Sequence, residues 1–60
     1  MNELKVKMIE KTIRKYKNMV GVNIGTAEVM NNLNAPKDAK IYIERAKTLQ
    51  MVIEDLELML

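Results

Sequence analysis

Seven apolar positions near the end of the chain, Ala39, Tyr42, Ala46, Leu49, Ile53, Leu56 and Leu60, succeed one another at intervals of 3, 4, 3, 4, 3 and 4. That alternation is the a/d pattern of a helix burying one stripe against another helix, and a strand with its period of two cannot produce it. Pro36 suits the first turn of such a helix, because its missing N–H would have no intrahelical partner there. The spacing therefore predicts one helix over residues 36 to about 59, on the order of 36 Å long.

A second stripe lies upstream. Val6, Ile9, Ile13, Tyr16 and Val20 are spaced 3, 4, 3 and 4, with Asn2 placed to cap the helix and Glu3 in its first turn. Lys5, Lys7, Lys11, Arg14, Lys15 and Lys17 occupy the polar side, and Glu3–Lys7 and Glu10–Arg14 form i,i+4 pairs. Gly21 reads as the left-handed residue ending this helix at about residue 20, with 21–25 (Gly-Val-Asn-Ile-Gly) as a connector. Thr26 then reads as the cap of a short helix over about 26–33, with Val29, Met30 and Leu33 as its apolar side. Asn34 is suited to a left-handed turn before Pro36.

These elements predict an all-α fold, with residues 1–60 as a single small helical domain of two long amphipathic helices and one short one. A chain of 60 residues buries only about 60% of its unfolded surface and needs reinforcement. It has no Cys for a disulfide and no His for a transition-metal site. The remaining reinforcement is a second subunit. A predicted first helix of about 26 Å is too short to cover the whole stripe of the last one. The expectation is accordingly a homodimeric, coiled-coil-like bundle with Val6, Ile9, Ile13, Tyr16, Tyr42, Leu49, Ile53, Leu56 and Leu60 in the self-association seam.

The same composition narrows the chemistry. Without Ser, Cys or His, the common nucleophile and base pairs cannot be assembled. The chain is expected to be no enzyme and to use no cofactor, metal or small-molecule substrate. Glu54, Asp55 and Glu57 read as a solvated acidic face, since they lack the loop carbonyls of a hard-cation site. Gly21 and Gly25 lack the following Lys of a phosphate-binding loop. No apolar run reaches the roughly 18 residues of a membrane span, and the charged N-terminus lacks a signal peptide's apolar core. The expected location is cytoplasmic.

Two binding readings remain. Ile41, Val52 and Met59 fall off the main stripe and predict a partner surface on the flank of the last helix. The protein is then a small regulator or inhibitor of bacterial or phage type, acting by helix docking and self-association on a protein partner that the sequence does not identify. The alternative takes residues 26–46 as a helix-turn-helix outline that presents Lys37, Lys40 and Lys47 to DNA. A net charge of +2 is too small to decide for nucleic acid.

Overall fold

The computed structural model describes residues 2–60 and contains two helices, α1 (Glu3–Asn32) and α2 (Pro36–Leu58). They lie antiparallel along one another in a hairpin. Met8 and Ile9 near the start of α1 share a groove with Met59, whereas Val20 and Ile24 share one with Ile43 and Ala46. The Cα atoms fill a slab of 48 × 14 × 8 Å, one helix thick and two helices wide.

The ends of the helices follow local chemistry. Asn2 is extended (φ −76°, ψ 159°), and its side-chain oxygen accepts from the Lys5 N–H at 2.8 Å, which satisfies one orphan donor of the first turn. At the far end of α1, Asn34 takes φ 58°, a left-handed conformation that Asn tolerates better than most side chains. The Ala35 N–H then donates to the Met30 carbonyl at 2.8 Å, and the Asn34 N–H to the Asn31 carbonyl at 3.1 Å. These two bonds are the Schellman closure of a helix C-terminus. Pro36 opens α2 one residue after Ala35, which caps without a side-chain hydrogen bond.

Two expectations are corrected here. No connector interrupts residues 21–25, and no separate short helix starts at Thr26; α1 runs through both. Neither Gly21 nor Gly25 has a positive φ. Thr26 does not cap, because its hydroxyl donates back to the Val22 carbonyl at 2.9 Å in mid-helix. Each helical Gly costs roughly 0.8–1 kcal/mol relative to Ala. Tertiary packing meets that cost, because the 3-4 rhythm of the first stripe does not stop at Val20. It continues in frame through Asn23, Ala27 and Met30, all of them wholly or partly covered, and a loop over 21–25 would have broken that phase.

The hydrophobic core is thin. Its buried members are Ile13, Ala27, Ala39, Ala46 and Ile53, and Ile53 has no exposed surface at all. Three of the five are Ala, which permits close approach of the helices and contributes little apolar area. Val6, Ile9, Tyr16, Val20, Tyr42, Ile43, Leu49 and Leu56 are half-buried around them.

Candidate protein interaction face

Because α1 has 30 residues rather than about 18, it covers the stripe of α2 within one chain. The seam residues Val6, Ile9, Ile13, Tyr16, Tyr42, Leu49, Ile53 and Leu56 therefore meet each other inside the hairpin. The need for a second chain to cover them disappears. Leu60 departs from the seam: α2 ends at Leu58, and Leu60 beyond it is 58% exposed.

With the stripes as a and d positions, the remaining positions divide the hairpin into two broad faces. In an antiparallel pair the g positions of both helices fall on one side of the seam and the e positions on the other. The g positions and the adjoining c positions carry Met8, Met19, Val22, Val29 and Leu33 from α1 and Ile41, Val52 and Met59 from α2 or just past its end. These are eight of the thirteen large apolar side chains exposed among the described residues. The opposite face, of e and b positions, carries Ile24 alone of that set. Its other residues include Lys7, Glu10, Arg14, Lys17 and Glu28 from α1, and Lys40, Lys47, Glu54 and Glu57 from α2.

The polar groups of the apolar face are largely satisfied in place. All three Thr of the chain lie on it, and each hydroxyl donates to the carbonyl four residues back: Thr12 to Met8 at 2.9 Å, Thr26 to Val22 at 2.9 Å and Thr48 to Glu44 at 3.1 Å. Covering these side chains strands no hydroxyl donor, so the usual cost of burying a hydroxyl is small here. Arg45 folds over the ring of Tyr42, 5.1 Å from its centroid, which gives its guanidinium a partner without leaving the face. Asn23, in the seam itself, donates to the Met19 carbonyl at 2.8 Å. A groove opens here, between Met19 and Asn23 on one helix and Ile41, Arg45 and Thr48 on the other, with Lys37, Lys40 and Glu44 along its rim.

Ile41, Val52 and Met59 thus lie on one exposed face at 51%, 36% and 53% exposure, now joined by five residues of α1. Lys37, Lys40 and Lys47 are exposed along the outer and charged sides of α2, and Lys47 is 3.6 Å from Glu44. The DNA reading took residues 26–33 as a separate short helix, which the structure does not contain. Residues 26–32 are the end of α1 and lie back along α2, whereas a helix-turn-helix sets two helices at roughly 90–120°. On the outer surface Glu3 and Lys7 pair at 3.3 Å; Glu10–Arg14 is not among the ion pairs of the described residues. Among those residues no group of three His, Cys, Asp or Glu side chains is placed to hold a metal ion. No helix among the described residues is long and apolar enough to cross a membrane.

No family model matches this chain, and no curated protein or solved structure is found to match it.

Proposed function

We propose that this chain is a small non-enzymatic interaction protein that works by docking helices, its own copies among them, on the face formed by the c and g positions. The uneven division of exposed apolar side chains, eight on that face against one on the opposite face, carries the reading. Contiguous exposed apolar patches on soluble proteins mark interaction sites. Met8, Met19 and Met59 add unbranched, adaptable side chains to it. The charged face opposite mixes both signs, as a solvated face does.

The test compares two double variants of the full chain. Ile41→Asp with Val52→Asp places two carboxylates on the docking face at positions that are already exposed, so the hairpin tolerates them. Lys37→Ala with Lys40→Ala removes two cations from the rim of the groove and places no charge among its apolar residues. The first pair is expected to abolish self-association in sedimentation equilibrium while helix content by circular dichroism is retained, and the second to leave it intact. Retention of association in the first pair would refute the reading. Salt-sensitive DNA binding lost only in the second would replace it with the nucleic-acid alternative.

A further inference from the structure

Resting on that docking reading, we infer that the occupant of the apolar face is a second copy of this chain, seated with both turns at the same end of a four-helix bundle. Two independent observations lead there.

The first is area. The hairpin exposes 4801 Å². A compact monomer of 6.9 kDa exposes about 4,000 Å², so the surplus is about 800 Å², the amount each partner contributes to a standard interface. A compact particle of twice the mass exposes about 6,600 Å², or about 3,300 Å² per chain. Pairing would then bury about 1,500 Å² on each side, within the range of permanent homodimers. The shape agrees. The radius of gyration is 14.3 Å, against about 10 Å for a compact chain of this length and about 14 Å for one twice as long. A single layer of two helices has the length of a bundle and half its thickness.

The second is the placement of charge along the face. On α1 its charges, Lys5 and Lys15, lie in the half near the open end, and from Met19 to Leu33 it carries none. On α2 the open half carries Asp55, and the half near the turn carries Asp38 and Arg45, the latter stacked on the Tyr42 ring. With turns at the same end, α1 of one chain lies over α2 of the other at equal height, as Val20 and Ala46 stand level within one chain. Lys15 then comes within about one helical turn of the other chain's Asp55, and the uncharged half of α1 covers Ile41 and Arg45, whose guanidinium keeps the Tyr42 ring of its own chain as a partner, while Asp38 lies at the exposed first turn of α2. With turns at opposite ends, α1 lies over its own copy reversed. Lys5 and Lys15 would then sit over Val29 and Met19, twice in each dimer, with no carboxylate in reach on the facing helix. Burying a cation without a partner is much the costlier choice.

The chain has no Cys, so a single introduced thiol labels one site per protomer. Lys37 is exposed, near the turn and on the outer rim of the groove, from which a flexible label reaches solvent. Lys37→Cys, carrying a nitroxide, is examined by pulsed electron spin resonance for the distance between the two labels. Light scattering over a dilution series gives the molar mass. The expected result is a mass of two chains and a label separation below about 30 Å. The opposite arrangement displaces the labels by about 23 residues of helix, roughly 35 Å along the axis before any sideways offset is added. A dimer with the long distance overturns the turn-to-turn seating. If Ile41→Asp with Val52→Asp dissociates that dimer, the docking reading survives; if it does not, that reading fails as well. A monomer at every concentration, or a mass above two chains, overturns the second copy as occupant.

Discussion

Replacing Gly21 and Gly25 together by Ala tests the largest difference between the sequence reading and the structure, because the two give opposite signs. Neither glycine has a positive φ, and a Cβ added at either would meet nothing within 4 Å. Both side chains would point to solvent, at b and f positions away from the docking face. The substitution then removes unfolded-chain entropy and adds helix propensity, worth about 0.5–1 kcal/mol per site, or roughly 1–2 kcal/mol for the pair. At about 4–8 °C per kcal/mol for a domain of this size, Tm should rise by somewhere between 4 and 16 °C. The assay is thermal unfolding followed by helix circular dichroism, with wild type and variant at one protein concentration, because the stability of a dimer moves with concentration. A connector whose glycine held a left-handed residue would respond in the other direction, since Ala is strained there. A drop in Tm in the double variant would refute the continuous helix.

Ile53→Ala should cost about 2–5 kcal/mol, since it empties the one large side chain with no exposed surface in a core otherwise rich in Ala; a urea midpoint displaced by less than about 1 kcal/mol would mean that the seam is not packed as described. Asn2→Ala should cost about 1 kcal/mol by leaving the Lys5 N–H without its side-chain acceptor, and amide hydrogen exchange at Lys5 should speed up more than at residues in the middle of α1.

What could be read from the sequence was whatever rests on one face or one residue. The stripe of α2 from Ala39 to Leu56, the Asn2 cap, the left-handed Asn34 and the first-turn Pro36 each follow from a local rule, and each stands in the structure. The passage through Gly21–Gly25 does not, because two local rules compete there. Glycine and asparagine argue for a break, and periodicity argues for continuity. The signal that decides between them was present: Asn23, Ala27 and Met30 keep the frame of Val6 to Val20. It was masked because Asn and Ala are weak markers of a buried stripe. The error then spread. A short first helix left the stripe of α2 uncovered and pushed the self-association surface onto the seam. Val29 and Leu33, assigned to the inner side of a separate helix, proved 52% and 68% exposed. Half of the docking face, the part on α1, became visible only once both helices shared one heptad frame.

The sharp contrast between the two faces bears on what kind of assembly this hairpin can form. A layer with apolar side chains on both faces would stack without end, since each added copy would present a fresh sticky surface. Here one face is apolar with its hydroxyls already bonded, and the other carries Lys, Arg and Glu side by side. Under the proposed pairing a second copy would cover the first face and leave the mixed-charge face outward, with Leu4, Ile24, Met51 and Leu58 dispersed over the rest, so growth would close at two. A core of two Ile and three Ala is little for a chain without a disulfide to rely on, and the apolar face holds more large side chains than that core does. The proposed pairing would link folding to association, since it would add about 1,500 Å² per chain to what the hairpin already buries. If the proposed pairing holds, any partner protein that binds the same face would compete with the second copy, and its binding should fall as the concentration of this chain rises.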